Sequence, residues 1–363
     1  KEPCFFNLYP NTNNVKLVSE LAKYANCKPE NVQYFASSDV LHELITRVYL
    51  QFGKRVLIQS PAYDNFRLTA QANGAYIYFS DVNGHDFSFS KSKFEQDIRK
   101  INPNLVYICS PNNPVGYVTE NDYIEHLLKT YPNIMFLIDE AYIEFSSNPS
   151  AAIFINKYDN IIVTRTMSKA FALANMRFGY VLSAPKNIQD INNIRNPKNI
   201  NTFTQVAAVA ALEDVNYMHD YAKQVNIAKR YFIENVKKLD GIIPFESEAN
   251  FVLMRFDSFG LKCQMFKWLK QHNIFIREVS QSPMLYTCLR ITIGTHEQMK
   301  YVLKIMGDFY KQKPIKKGDK IAPIFLSMIM DIEKDFKTEE VQNLSARCLV
   351  SFEDYGYAWG GGR

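Results

Sequence analysis

No two of the six cysteines stand at metal-ligand or redox spacing. Cys4, Cys27, Cys109, Cys263, Cys288 and Cys348 lie far apart and no CxxC occurs. The six histidines are equally isolated, so no metal site is expected. Single scattered thiols imply free, mostly buried cysteines in a reducing cytoplasm. A large excess of charge of one sign is lacking too. The net charge is +5, from 42 Lys and Arg against 37 Asp and Glu, and the basic residues are spread out. That gives nucleic-acid binding no electrostatic footing. No apolar run approaches the roughly 18 residues of a membrane span, so no membrane partner is expected. The opening "KEPCFFNLYP" has neither a signal-peptide pattern nor an initiator methionine, which points to a processed product or a piece of a longer chain.

What remains is globular composition: 363 residues, 47% hydrophobic and 14% aromatic, enough for one large domain and a smaller one. "NVQYF" reads as a short strand entering a turn, and "DVLHELITRVYL" follows with apolar residues at helical spacing. "KRVLIQS", "GAYIYFSD", "NLVYICS", "NIMFLID", "NIIVTRT" and "FGYVLS" read as strands, with helical patterns among them. Such alternation predicts an α/β fold with a mostly parallel sheet covered by helices, followed by a smaller α+β unit. From Thr204 to Lys238 the pattern is helical; "EANFVLMRF", "NIFIREV" and "CLRITIGT" read as strands and "HEQMKYVLKIMGDFYKQ" as an amphipathic helix. The expected boundaries are an N-terminal segment over 1–32, a large domain over 33–205, a small domain over 206–311 and an extension of unassigned role over 312–363, with a helix at "IFLSMIMDIEKDF".

Ligands of parallel sheets bind beyond the carboxyl ends of the strands. Four polar clusters fall at such ends: Ser37-Ser38-Asp39, Asn112-Asn113, Asp139-Glu140 and Ser168-Lys169. Lys169 sits among small and apolar residues, and a partly desolvated lysine can attack a carbonyl. Arg177, eight positions on, is a charged fork suited to phosphate. Thr166 and Ser168 bring hydroxyls, and the turn at Ser37–Asp39 opens a helix whose free N–H groups suit an anion. Asp139 has three readings, as a helix cap, a metal ligand or the partner of a cationic ring nitrogen; with no second ligand set, the metal reading is poor. Tyr142 and Asn113 could donate to a phenolate oxygen and Tyr63 could stack on a ring, although each is singly explained by packing or a turn. Together, lysine, phosphate cup, acid and aromatic specify pyridoxal 5'-phosphate (PLP).

Here the sequence resembles the fold-type I PLP enzymes, and among them histidinol-phosphate aminotransferases. The matching stretches run in order over about residues 5–310: "LYP", "SSDVLHELITRVY", "SPAYDNF", "CSPNNPVG", "DEAYIEF", "RTMSKAFALANMRFGY", "NFVLMRF" and "CLRITIGT". The resemblance implies that Lys169 carries PLP as a Schiff base and then moves the proton. Asp139 would pair with the pyridine nitrogen, Asn113 and Tyr142 would contact the ring oxygen, and Tyr63 would stack. Ser38, Asp39, Thr166, Ser168 and Arg177 would hold the cofactor phosphate, with Tyr9 reaching it from the second subunit of a homodimer. Arg290 would grip the α-carboxylate, and Arg277 the substrate phosphate or glutamate's second carboxylate; Asn113 also lies on the substrate side. The implied reaction is ping-pong exchange of an amino group between glutamate/2-oxoglutarate and a phosphorylated amine or ketone. The alternative is a decarboxylase of phosphorylated threonine or serine. A binding protein without turnover would be expected to lose Lys169, Arg290 or Asp139, and all three are present. The sequence departs from the family at Ser37 and Val40, where Gly and Glu are the pattern, and in having no Asn-Glu-Asn-Pro-type motif at its start.

Overall fold

Apolar runs such as Leu105–Cys109 and Ile134–Ile138 form the middle of a seven-stranded sheet. Its strands are β1 (Val32–Phe35), β2 (Arg55–Ser60), β3 (Tyr76–Asp81), β4 (Leu105–Cys109), β5 (Met135–Asp139), β6 (Ile161–Thr166) and β7 (Gly179–Ser183), in the order β1-β7-β6-β5-β4-β2-β3. The structure is a computed structural model that describes residues 7–279 and 282–312. Pairs β2–β3, β2–β4, β4–β5 and β5–β6 are parallel, whereas β7 runs antiparallel to both β6 and β1. Strands β4 and β6 are buried at every position, as expected where helices cover both faces of a parallel sheet.

The helices on this sheet include α1 (Val15–Tyr24), α2 (Ser38–Tyr49), α3 (Asp64–Ala72), α4 (Lys91–Ile101), α5 (Asn121–Thr130) and α6 (Pro185–Asn192). α2 shows why they form where they do. Ser37 caps it by accepting the Val40 N–H, and Leu41, Leu44 and Ile45 recur on the buried face.

The chain then crosses through α7 (Thr202–Glu213) and α8 (Val215–Val236) to a four-stranded sheet. The single helical pattern read over 204–238 is in fact two helices. The break is at Asp214, whose φ of −120° and ψ of 51° leave the helical region; aspartate favours helix ends over interiors. The second sheet, ordered β10-β11-β9-β8, consists of β8 (Ile242–Pro244), β9 (Phe251–Phe256), β10 (Arg277–Glu278) and β11 (Cys288–Thr292). It packs with α8 and α9 (Phe259–Gln271), and α10 (His296–Gln312) lies against those two helices. The strand read over "NIFIREV" shrinks to Arg277 and Glu278, an edge strand paired on one side alone. The helix expected at "IFLSMIMDIEKDF", like the rest of the proposed extension beyond Gln312, lies outside the described residues. Among the described residues, no helix is long and apolar enough to cross a membrane.

Candidate active site

Because β1, β2, β4, β5 and β6 point the same way, their last residues Phe35, Ser60, Cys109, Asp139 and Thr166 reach one edge of the sheet. The loops carrying Ser37–Asp39, Tyr63, Asn113, Tyr142 and Ser168–Lys169 all start there. Lys169 is half-buried, with its Nζ 5.2 Å from the Tyr142 ring centroid. Burial, reinforced by Arg290, lowers its pKa from the ordinary lysine value, against the opposing pull of Asp139 and Asp39. An amine with a lowered pKa is neutral more of the time and hence a better nucleophile and base.

Asp139 is buried at the end of β5. Its Oδ2 accepts the Tyr107 hydroxyl at 2.7 Å and its Oδ1 the Ala141 N–H at 3.2 Å. The adjacent acid goes elsewhere. Glu140 turns beneath the sheet edge to Arg165 Nε at 2.9 Å, Ser150 Oγ at 2.7 Å and the Ala151 N–H at 2.7 Å. Of the polar pair at this strand end, Glu140 is therefore structural.

At the start of α2 the backbone is unusual. Ser37 has φ +118°, a region that side chains avoid and that clusters at ligand-holding turns. The first turn of the helix presents N–H groups that the helix itself cannot satisfy. Gly179 on β7 lies against this turn, and a Cβ there would come within 2.5 Å of the Ser38 nitrogen. Arg177 Nη2 is 3.6 Å from Asp39 Oδ2, and Asp39 also accepts the Tyr63 hydroxyl at 3.2 Å and Asn65 Nδ2 at 3.4 Å. The Asp39 carboxylate is thus already engaged with donors and repels an anion; what Asp39 offers a phosphate is its backbone N–H. The Thr166 hydroxyl lies 3.0 Å from the Phe178 carbonyl and 2.9 Å from Ser168 Oγ and accepts the Ser168 N–H at 3.1 Å, tying the turn together.

The second sheet contributes the arginines. Arg290 Nη1 donates to Asn113 Oδ1, and the Arg290 guanidinium lies 4.7 Å from the Phe251 ring centroid. Its Nε is buried with no partner. Arg277 is the direct cross-strand neighbour of Arg290, so both side chains rise from one face of the sheet. Burial, with Arg277 adding to it, lowers the Arg290 pKa. Tyr9 is 79% exposed, and Lys198 Nζ sits 4.1 Å from its ring centroid.

Comparison with known proteins decides what this constellation belongs to. Residues 5–306 match the family model described as aminotransferase class I and II. The chain belongs to this family. A dihydroxyacetone phosphate transaminase of Campylobacter jejuni is 40% identical over 312 residues, 85% of this chain and 83% of that protein. A histidinol-phosphate aminotransferase of Ruminiclostridium cellulolyticum is 33% identical over 299 residues, 82% of each chain. Among solved structures, the histidinol-phosphate aminotransferase of Sinorhizobium meliloti, in complex with PLP, superposes with a TM-score of 0.77 at 23% identity, over 84% of this chain and 83% of that one. The chain is a PLP-dependent aminotransferase of fold type I.

The residues fit that cofactor. A half-buried lysine of lowered pKa, a buried carboxylate fixed by two donors and a helix start with unsatisfied N–H groups stand at one sheet edge, within reach of an arginine with an unpaired nitrogen. Four residues near this centre did not stand out in the sequence. His42, Tyr107 and Thr164 gather around Asp139, and Phe251 supports Arg290. The one signal for His42 was a polar ring on the apolar stripe of α2.

Proposed function

We propose that the enzyme passes the amino group of glutamate to a small phosphorylated ketone of the dihydroxyacetone phosphate kind. In this reading Lys169 carries the cofactor and moves the proton. Asp139 holds a proton at the ring nitrogen, and Asn113 and Tyr142 bond the ring oxygen beside a stacked Tyr63. The N–H groups of Ser38 and Asp39, the Ser168 hydroxyl and Arg177 hold the phosphate, Thr166 bracing the turn. PLP, when bound, supplies the electron sink that stabilises charge at the substrate's α-carbon. Arg290 orients the α-carboxylate and Arg277 takes the distal anion, either the second carboxylate of glutamate or the phosphate of the ketone. The enzyme acts as a homodimer in which Tyr9 of a second copy reaches the cofactor phosphate. The free thiols among the described residues, Cys27, Cys109, Cys263 and Cys288, suit the cytoplasm.

The observation that carries this reading is the cross-strand register of Arg277 and Arg290, which gives two anion receivers on one face beside Asn113. The 40% identity to a dihydroxyacetone phosphate transaminase supports the choice of acceptor. The test is to load the purified protein with PLP and add glutamate, then dihydroxyacetone phosphate or imidazole-acetol phosphate. Release of 2-oxoglutarate followed by turnover of the three-carbon ketone is expected. Preference for the imidazole compound would replace the acceptor with the histidinol-phosphate type. No 2-oxoglutarate, but carbon dioxide from phosphothreonine, would make the enzyme a decarboxylase.

A further inference from the structure

Around Asp139 lies a buried group of side chains that the proposed reaction leaves unused. Tyr107 from β4 is fully buried and donates its hydroxyl to Asp139 Oδ2 at 2.7 Å. His42 from α2 is 1% exposed; its Nε2 lies 3.8 Å from the same oxygen and 3.1 Å from Thr164 Oγ1 on β6. Phe66 from α3 stacks on Tyr107 with centroids 4.2 Å apart and meets the His42 ring edge-on at 5.7 Å, closing the group to water.

The His42 tautomer follows from what surrounds it. Nδ1 is buried and has no partner. A proton on Nδ1 would bury an unsatisfied N–H, whereas a bare ring lone pair is the cheaper choice. The proton therefore sits on Nε2 and is donated to Thr164 Oγ1, with Asp139 Oδ2 3.8 Å away. Tyr107 thus bonds Asp139 Oδ2 directly and the His42–Thr164 pair stands beside it, in surroundings dry enough to make each dipole count. The other titratable groups near this centre are Lys169 and Tyr142, Cys109 at the end of β4, and Asp39 and Tyr63 at the cup. Phe66 and Thr164 do not ionise.

We propose that Tyr107 and His42 are positioning residues that hold the Asp139 carboxylate in its orientation, so that the proton it shares with the PLP ring stays on the ring nitrogen. This rests on Asp139 facing that nitrogen. A donor taken from a carboxylate raises its proton affinity. Without Tyr107's hydroxyl, the shared proton moves toward Asp139 and the ring becomes a poorer electron sink.

The test uses full-length protein loaded with PLP labelled with 15N in the ring. Tyr107→Phe removes one oxygen and keeps the ring that packs on Phe66. Its ring-nitrogen resonance is expected to move from the pyridinium position toward neutral pyridine. The glutamate half-reaction is expected to slow about tenfold or more, the effect of one hydrogen bond to a charged group, with KM for glutamate within about twofold. His42→Leu is expected to move both in the same direction by a smaller amount, about threefold in rate, since its N–H is farther away. Asp139→Asn is the reference and is expected to give the full shift. If Asp139→Asn shifts the resonance and Tyr107→Phe does not, whatever happens to Tm, the proposal is overturned while the Asp139 reading stands. If Asp139→Asn leaves the resonance unmoved, the Asp139 reading falls and this proposal with it. Should His42→Leu fail to fold, Tyr107→Phe decides alone.

Discussion

Asp139 and Glu140 are neighbours in sequence, both buried, and differ in what they touch. Glu140 closes a buried ion pair with Arg165, and removing one partner of such a pair leaves an uncompensated charge. Glu140→Ala is expected to destabilise by about 3–5 kcal/mol, read from urea unfolding. Asp139→Asn is expected to change the unfolding midpoint little and to lower kcat by about a hundredfold or more. Equal losses of stability in the two variants would erase this distinction. At Arg290 the charge has two effects. Replacing it with alanine removes a carboxylate grip, expected to raise KM for glutamate by the equivalent of about 2–5 kcal/mol. It also removes the cation that, after burial, most lowers the Lys169 pKa. The lysine then holds its proton to higher pH, and the pH midpoint for loading PLP onto apo protein is expected to rise. An unchanged midpoint would detach Arg290 from Lys169. Lys169, Asp139 and Arg177 were legible in the sequence because charged groups among small and apolar residues call for a reason. His42 and Tyr107 were not. A histidine on a helix stripe and a tyrosine in an apolar strand read as packing, and His42 meets Thr164 across 122 positions, which only the fold brings together.

At the scale of elements, strands were the most readable part, because burial on both faces of a parallel sheet writes continuous apolar runs. The close approach of β7 to the start of α2 was not readable, since one glycine gives no pattern. Gly179→Ala is expected to push the Ser37–Ser38 backbone aside at a cost of about 1–3 kcal/mol and to weaken PLP binding, measured by thermal unfolding and by cofactor titration. Undisturbed cofactor affinity would mean that this turn does not hold the phosphate. The break at Asp214 and the two-residue β10 were also missed. Helical periodicity runs smoothly through an aspartate that ends one helix, and an edge strand with a single neighbour needs little sequence signal.

At the scale of the whole molecule, one acid outside the site makes stability depend on pH. Glu144 is half-buried with its Oε2 enclosed and unpaired, and burial, opposed by Arg165, raises its pKa from 4.5 to about 7. Between those values the unfolded chain releases a proton that the folded chain keeps. The stability this proton gives is complete below about 4.5 and is lost as pH rises through about 7. Glu144→Gln is expected to unfold at a Tm that changes less with pH across this window, and parallel wild-type and variant profiles would refute the assignment. The overall α/β plan was legible because the strand runs and strand-end polar clusters occur together; the meeting of the two sheets was not, since Arg290 and Asn113 are 177 positions apart. That meeting has a practical side. On the proposed reading one cleft has a phosphate seat at each end, at α2 and Arg177 on one side and at Arg277 on the other. Inorganic phosphate suits both, so a protein purified or assayed in phosphate buffer would be competing with its own solvent for cofactor and substrate alike.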